Sequence, residues 1–129
     1  MKFLIVLAIV AVAAAAPFTE DQLKKGQQYV KKCIGETGIA SETVAKLKAG
    51  DFSDDDEKVQ CFALCFFREA QFTDANGNQN RNAIVGKLSV DKDPKAVEAA
   101  YEKCKGVDGT SPCNKAFNAY KCYRTAGLF

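Results

Sequence analysis

The sequence predicts an all-α domain of six helices, and three observations support this prediction. Apolar residues recur at helical spacing through most of the chain, whereas no stretch alternates apolar and polar residues for long enough to form a strand. Residues that favour helix starts, and glycines that favour helix ends, lie at the boundaries of the predicted helices. The length of 129 residues, with 3 Pro and 9 Gly, suits a single globular domain.

The first 15 residues are predicted to be a signal peptide. Lys2 precedes an apolar run, Phe3–Val12, that is too short to span a bilayer, and small residues follow it. Cleavage is expected after Ala15, so we predict a signal peptide at 1–15 and the helical domain at 16–129, in preference to a membrane anchor. The mature chain is then secreted, which makes disulfides the default state of its cysteines.

The first helix of the domain is predicted to begin at a capping box. Thr19 is its N-cap, and Gln22 lies three residues further on. Gly35 or Gly38 is expected to end this helix. Its predicted apolar stripe contains Leu23, Val30, Cys33 and Ile34.

The second and third helices are predicted from their start signals and their composition. Ser41 is expected to cap the second helix, and Gly50 to close it. Ser53 and the acidic run Asp54–Glu57 are expected to open the third helix, because carboxylates complement the positive end of the helix dipole. The stretch Val59–Phe67 is apolar on almost every side, so the third helix is expected to be the buried central one.

The second half of the chain predicts three more helices. Residues 73–80 form a polar, solvated turn rather than a calcium loop, since Gln79 stands where such a loop needs glycine. A fourth helix follows this turn. Asp93 and Ser111, each followed by proline, are expected to cap the fifth and sixth helices. Gly127 stops the sixth helix and leaves the last two residues as a short apolar tail.

Charge and composition exclude several classes of function. A net charge of +2, from 18 basic and 16 acidic residues, implies no strong attraction to nucleic acid or to an anionic membrane. The absence of histidine excludes Ser-His-Asp triads, Cys-His dyads and histidine-ligated zinc. A zinc site made of cysteines alone is disfavoured, because no Cys-x-x-Cys occurs in an exported chain. We therefore predict no enzyme activity, no metal site, no cofactor and no membrane insertion.

The six cysteines are separated by 27, 3, 38, 8 and 8 residues. Six cysteines allow 15 pairings, and the sequence alone does not choose among them. Cys61 and Cys65 lie four residues apart on one helical face, so they are expected to pair with two different neighbouring helices.

This cysteine spacing, the signal peptide and the six helices together resemble the insect odorant-binding proteins. The stretch Lys58–Phe67 (Lys-Val-Gln-Cys-Phe-Ala-Leu-Cys-Phe-Phe) is similar to the third helix of that family and most like its general odorant-binding branch. The resemblance covers the whole mature chain. It implies a compact six-helix fold, stapled by three interlocked disulfides around an apolar cavity. The implied pairs are Cys33–Cys65, Cys61–Cys113 and Cys104–Cys122.

The resemblance also implies a function. It points to an extracellular, non-covalent carrier of small hydrophobic ligands such as odorants or semiochemicals, with a chemoreceptor or a second copy of the chain as a further partner. Two alternatives remain open at this point. One is a non-olfactory carrier of lipids or semiochemicals in haemolymph, saliva or reproductive fluid, and the other is a disulfide-rich toxin or defence protein.

The candidate ligand-contacting residues are aromatic and aliphatic side chains of the predicted helices and tail. Ordinary core packing is the alternative for each of them. The tyrosines are the expected hydrogen-bonding groups, since each carries a hydroxyl on an apolar ring. The candidate set is Phe62, Phe66, Phe67, Ile84, Leu88, Val97, Tyr101, Phe117, Tyr120, Tyr123, Leu128 and Phe129.

Release of ligand in acid cannot depend on histidine in this chain, because it has none. Carboxylates, including one expected at Phe129, are the remaining groups that titrate in mild acid. We therefore expect ligand affinity to be flat from about pH 8 to about pH 5.5 and to fall only below that range.

Overall fold

The computed structural model describes residues 19–90 and 92–129, so the predicted signal peptide lies outside the described residues. The helices are α1 (Glu20–Thr37), α2 (Ser41–Lys48), α3 (Glu57–Glu69), α4 (Arg81–Leu88), α5 (Pro94–Cys104) and α6 (Pro112–Thr125). No β-strand occurs within the described ranges, where the only extended pairing is a single antiparallel bridge between Thr73 and Gln79. The predicted all-α fold of six helices is confirmed.

Helix α3 is the buried central helix, as predicted from its composition. Its main helix neighbour is α6, and α1 also packs against it, while α5 contacts both α4 and α6. These contacts cover the apolar side of α3, while Glu57, Lys58 and Arg68 are exposed. Its buried residues are Val59, Phe62, Ala63, Leu64, Cys65 and Phe67.

Three helix starts are confirmed by their hydrogen bonds. At α1 the Gln22 N–H donates to the Thr19 hydroxyl at 3.0 Å, and the Thr19 N–H donates to the Gln22 side chain at 3.0 Å. Asp93 caps α5 and Ser111 caps α6, each with proline in the first turn. Each cap satisfies a backbone donor that the helix leaves unpaired, which stabilises the helix by about 1 kcal/mol.

The predicted start of α2 is wrong, and the predicted start of α3 is right for the acidic run 54–57 but wrong for Ser53. Ser41 is the first residue of α2, whose N-cap is Ala40, and no side chain caps this helix. The N-cap of α3 is Asp56, whose carboxylate accepts the Val59 N–H at 3.0 Å, while Ser53 lies outside the helix. Several consecutive residues here are able to cap a helix, and the one used is three residues before the first buried side chain of α3.

The apolar stripe predicted for α1 is wrong at Leu23, which is 52% exposed. Helix α1 contacts α3 through its second half, where the Tyr29 and Phe66 rings lie 5.9 Å apart and Cys33 is bonded to Cys65. The first turns of α1 therefore have little apolar surface to cover them.

Glycines end α1 and α6 in the left-handed conformation that favours this residue. Gly38 has a φ of 72° and donates to the Ile34 carbonyl at 2.9 Å, so it ends α1 rather than Gly35. Gly127 has a φ of 87° and follows α6, as predicted. Its backbone turns the chain back toward the helix that it has just left.

Three disulfides join four of the helices into one covalent network. Cys33–Cys65 links α1 to α3, Cys61–Cys113 links α3 to α6, and Cys104–Cys122 links α5 to α6. Their Cα–Cα distances of 5.7, 4.5 and 5.8 Å are ordinary for disulfides. These pairs are the ones that the resemblance implies, and Cys61 and Cys65 pair with different helices as their spacing predicts.

Within residues 19–90 and 92–129, neither a membrane-spanning helix nor a metal-binding cluster occurs. None of these helices is both long enough and apolar enough to cross a membrane. No group of three His, Cys, Asp or Glu side chains in the same ranges is arranged to hold a metal ion.

Candidate ligand-binding site

An enclosed cavity is bounded by α3, α4, α6 and the residues that follow α3 and α6. Its volume is about 10 Å³, which is about the space that one water molecule needs. Five apolar and three polar side chains form its wall. They are Phe67, Phe72, Ile84, Leu88 and Phe129, together with Thr73, Gln79 and Tyr123.

The end of α3 places Phe72 in this wall. The Phe72 N–H donates to the Phe67 carbonyl at 2.8 Å, and the Gln71 N–H donates to the Arg68 carbonyl at 2.9 Å. These two bonds form a Schellman motif, with Gln71 at the left-handed position with a φ of 65°. The chain turns back on itself, and the centroids of the Phe67 and Phe72 rings lie 6.0 Å apart.

A lysine of α4 holds this end of α3 in place. The Lys87 ammonium donates to the Ala70 carbonyl at 2.7 Å and to the Gln71 side chain at 3.2 Å. Burial lowers the pKa of Lys87, and repulsion from Lys25 adds to this effect. The contact joins the helix that carries Ile84 to the helix end that carries Phe72, so it fixes two parts of the cavity wall to each other.

The residues after α6 close another side of the cavity through a second Schellman motif. The Leu128 N–H donates to the Tyr123 carbonyl at 3.0 Å, and the Leu128 side chain is buried. The Phe129 ring lies 5.7 Å from the Tyr120 ring, 6.0 Å from Phe67 and 6.2 Å from Tyr123, measured between centroids. Leu128 thus anchors the segment and Phe129 contributes to the wall.

The polar turn 73–80 is fixed by its own hydrogen bonds and by α6. The Asp74 carboxylate accepts the backbone N–H groups of Asn76 and Asn78, each at 2.9 Å. The bond from Asn78 is the main reason that the pKa of Asp74 is lowered. Gly77 has a φ of 80°, and a Cβ there would lie 3.0 Å from the Pro112 carbonyl oxygen, so the turn packs closely on the start of α6.

The three polar residues of the wall expose no polar atom to the cavity. The Tyr123 hydroxyl donates to the Gln79 side-chain oxygen, and the Gln79 amide donates to the Cys104 carbonyl at 3.0 Å. Burial raises the pKa of Tyr123 well above its usual range, so its hydroxyl stays neutral. Thr73 is 6% exposed, and its hydroxyl oxygen is buried without a hydrogen-bond partner among the described residues.

Part of the predicted ligand-contacting set meets at this cavity. The five members that line it are Phe67, Ile84, Leu88, Tyr123 and Phe129. Among the others, Val97 and Leu128 are buried in the core outside the lining, and Phe62 packs against Phe66, with 6.5 Å between the ring centroids.

The remaining predicted residues make other contacts. Phe117 packs against Phe52, at 6.1 Å between ring centroids. The Tyr120 hydroxyl donates to the Leu47 carbonyl at 2.9 Å. Tyr101 is only half-buried and does not line the cavity.

Three wall residues are absent from the predicted set. Phe72, Thr73 and Gln79 follow α3, in or next to the stretch predicted to be a solvated turn. The only signal in the sequence is a large apolar residue, Phe72, directly after an apolar helix. Nothing in the sequence distinguishes Thr73 and Gln79 from the exposed residues between them.

A larger groove lies on the outside of the protein, beside α1 and α3. Its volume is about 360 Å³, and it is open to solvent. Charged side chains, among them Glu36, Glu57, Lys58 and Arg68, form much of its wall. Because the groove is open to solvent and bordered by charged side chains, it cannot bury an apolar ligand as fully as the cavity, which is the better candidate despite its smaller size.

A helical shell around a small apolar cavity, stapled by three disulfides, also occurs in known proteins. Residues 15–126 of this chain match the PBP/GOBP family. The chain belongs to this family. Its relatives include general odorant-binding protein 56a of Drosophila melanogaster, which is 29% identical over 115 residues, covering 89% of this chain and 82% of the relative. The B1 protein of Tenebrio molitor is 27% identical over 115 residues, covering 88% and 87%.

Two solved structures are similar to this chain. The fatty acid binding protein OBP56a from the oral disk of the blowfly Phormia regina aligns with a TM-score of 0.70 and 27% identity, covering 84% of this chain and 94% of that one. Odorant binding protein 4 of Chrysopa pallens aligns with a TM-score of 0.74 and 23% identity, covering 87% and 97%, and shares the fold. As a member of the PBP/GOBP family, the chain is a carrier of small hydrophobic ligands, and this membership points away from catalysis.

Proposed function

We propose that this protein carries small apolar molecules of the odorant or semiochemical kind through an extracellular fluid. The observation that carries the proposal is the cavity between α3, α4 and α6, whose wall is mainly aromatic and aliphatic. Sites for small molecules have this composition. Three disulfides and the predicted signal peptide support an extracellular location.

The binding energy in this proposal comes from removing apolar surface from water. A dissociation constant of 1 μM corresponds to about 8.2 kcal/mol. At ~25 cal/mol per Å², this energy requires about 330 Å² of apolar surface before the costs of binding are subtracted. A ligand with a short hydrocarbon chain and the cavity wall together provide an area of this order.

The cavity must widen to admit such a ligand, because about 10 Å³ does not hold more than a water molecule. Phe129 is only half-buried and follows the last helix, so its ring can be displaced without breaking a helix. The free energy of this rearrangement lowers the apparent affinity of any ligand. Selectivity then depends on ligand shape as well as on apolar area.

Fatty acids are a second candidate ligand class. The blowfly relative at 27% identity is described as a fatty acid binding protein from the oral disk. On this alternative the protein is a secreted lipid carrier without an olfactory role. Competition between odorants and fatty acids for the same fluorescent probe distinguishes the two classes.

A matched pair of leucines tests whether the cavity is the binding site. Leu88 lines the cavity and Leu47 does not, yet both are almost fully buried. In Leu88→Phe the larger ring fills the cavity, so the affinity for N-phenyl-1-naphthylamine should fall about tenfold. Leu47→Phe overpacks the core and should lower stability by about 1–3 kcal/mol without changing affinity. Equal affinities in the two variants, with both proteins folded by circular dichroism, would place the binding site elsewhere.

The extracellular location has its own test. Expression of the full sequence in insect cells should release a soluble product into the medium whose sequence begins at Ala16. Retention of the product in the cells, or an intact Met1, would contradict this part of the proposal.

A further inference from the structure

We propose that the Cys61–Cys113 disulfide is a site of thiol–disulfide exchange, at which a small thiol such as glutathione attacks the Cys61 sulfur and displaces the Cys113 sulfur. This inference is independent of the proposed carrier function. It assigns a chemistry to the open groove beside α1 and α3, which the carrier function leaves unused.

Access from solvent distinguishes this disulfide from the other two. Cys33 and Cys65 are 0% and 3% exposed, and Cys104 is 0% exposed, so each of the other disulfides contains a fully buried cysteine. Cys61 and Cys113 are both only half-buried, and both line the groove, whose volume is about 360 Å³. The rate of exchange depends on whether a thiolate can reach a sulfur of the disulfide. Cys61–Cys113 is therefore the link that an external thiol reaches without unfolding of the protein.

The positions of the two cysteines on their helices determine which sulfur leaves. Cys113 lies in the first turn of α6, two residues after the N-cap Ser111. The positive end of the helix dipole stabilises a thiolate there, and a sulfur that is more stable as a thiolate is the better leaving group. Cys61 lies inside α3 and lacks this stabilisation. The incoming thiol therefore bonds to Cys61, and Cys113 leaves.

The Cys104–Cys122 disulfide has the opposite setting. Cys104 is the last residue of α5, and Cys122 lies in the last turn of α6. The negative end of a helix dipole disfavours a thiolate at both positions. Either sulfur is thus a poorer leaving group than that of Cys113.

A carboxylate shields the third disulfide on the side that faces the groove. The Glu36 carboxylate lies 3.2 Å from the Cys65 sulfur, and it accepts a hydrogen bond from Arg68 at 3.0 Å. A thiolate that approaches Cys65 therefore meets a negative charge, in addition to the burial of this disulfide.

The charges beside Cys61 balance each other. Lys58 and Glu57 line the groove and precede Cys61 by three and four residues on α3, so each lies about 5–6 Å from it at Cβ. An anionic thiol therefore meets no net repulsion at Cys61. Reversal of the Lys58 charge would introduce one.

The exchange is balanced without a further reactant. The thiolate RS⁻ forms an RS–S bond to Cys61, the bond between Cys61 and Cys113 breaks, and its electron pair leaves on the Cys113 sulfur. A second thiolate then attacks the sulfur of the added thiol, which gives RSSR and a Cys61 thiolate. Two thiols are oxidised, one protein disulfide is reduced, and the two thiol protons end on the two cysteines. The covalent link between α3 and α6 is thereby opened.

The test exposes the folded protein to reduced glutathione at about pH 8, where part of the thiol is ionised, and stops the reaction rapidly with N-ethylmaleimide. Peptide mapping by mass spectrometry under non-reducing conditions identifies which cysteines carry glutathione, which carry N-ethylmaleimide and which remain paired. The proteins are wild type, Lys58→Glu, and Lys24→Glu as the control. Lys24→Glu makes the same charge change at an exposed position of α1 that does not line the groove.

We expect glutathione first on Cys61 and N-ethylmaleimide on Cys113, while the other two disulfides remain intact. Lys58→Glu should slow this first step about 3- to 10-fold, since it places net negative charge beside the attacked sulfur. Lys24→Glu should react at the wild-type rate.

Four results would overturn the proposal: another disulfide opens first, all three open together as the protein unfolds, glutathione is found on Cys113 rather than on Cys61, or Lys58→Glu reacts as fast as wild type. None of these results bears on ligand binding. The carrier function has its own test with the fluorescent probe, so the two failures are distinguishable.

Discussion

Deletion of Leu128 and Phe129 tests whether the segment after α6 forms part of the ligand site. The Leu128 side chain is 4% exposed, and its N–H is bonded to the Tyr123 carbonyl. Phe129 is half-buried against three aromatic rings and lines the cavity. The deletion removes both side chains and their hydrogen bonds to Tyr123 and Arg124, but it removes no residue of α6.

The effect on stability follows from these contacts. Burial of a leucine side chain contributes ~1.5–3 kcal/mol, and the half-buried phenylalanine adds about 1 kcal/mol. The three ring pairs together add about 1–2 kcal/mol, since they share one ring and are not additive. Ordering each of the two residues costs about 1–2 kcal/mol. We therefore expect the free energy of unfolding to fall by about 2 kcal/mol.

The effect on binding is estimated from the area that the Phe129 ring covers. If one face of the ring covers about 50 Å² of ligand, it contributes about 1.3 kcal/mol at ~25 cal/mol per Å². Loss of this contact corresponds to an almost tenfold weaker affinity. Urea denaturation followed by circular dichroism measures the first effect, and displacement of N-phenyl-1-naphthylamine at pH 7.4 measures the second.

Leu23→Ala is the control, because it removes a large apolar side chain that is 52% exposed. Its stability should stay within about 0.5 kcal/mol of wild type, and its affinity should not change. The reasoning is refuted if the deletion leaves both the urea midpoint and the affinity at wild-type values. A loss of stability without any change in affinity would show that Phe129 is core and not part of the ligand site.

Three further predictions concern the disulfides and the effect of pH. Replacing Cys61 and Cys113 by alanine removes a disulfide with a sequence separation of 52 and should lower the free energy of unfolding by ~4 kcal/mol. Replacing Cys104 and Cys122, with a separation of 18, should lower it by ~3 kcal/mol. Urea midpoints in the reverse order would contradict this prediction. Hydrogen bonds within the turn lower the pKa of Asp74 in the folded protein. Its ionised carboxylate therefore stabilises the fold at any pH above 3.8, its ordinary pKa. This stabilisation is lost as the pH falls through the lower pKa of the folded state. Asp74→Ala should therefore lower the melting temperature at pH 7 and have progressively less effect between about pH 4 and pH 2, whereas a difference that persists in acid would point to another cause. Ligand affinity should be flat from about pH 8 to about pH 5.5, since the chain has no histidine, and a sharp loss between pH 6 and pH 7 in a binding titration would contradict this.

Helix positions were predictable because their signals are local. The capping box at Thr19 and the caps at Asp93 and Ser111 depend on residues within one turn, and all three are confirmed. The start of α3 was not predictable, because several residues before Asp56 are able to cap a helix and tertiary packing decides which one does. The exposure of Leu23 likewise depends on where α1 meets α3, which periodicity does not show.

The prediction of the candidate site succeeded on the helices and at Phe129, and it failed in the turn after α3. Ile84 and Leu88 lie four residues apart on one face of α4, and both line the cavity. Thr73 and Gln79 lie in a turn whose composition indicates solvent, and a single bridge turns them toward the core. The composition of a turn indicates its average exposure, whereas the exposure of one side chain depends on the backbone conformation around it.

The covalent network has a consequence for how a ligand enters. Helices α1, α3, α5 and α6 are cross-linked to one another, whereas α4 contains no cysteine and is held by packing and by hydrogen bonds such as those of Lys87. Local opening is least costly where the fewest constraints must be broken. The cavity wall thus has a covalently cross-linked side, on α3 and α6, and a side without a disulfide, on α4. Outward displacement of α4 would break the Lys87 hydrogen bonds but no disulfide, so we expect α4, together with the Phe129 ring, to move when ligands of different lengths are admitted.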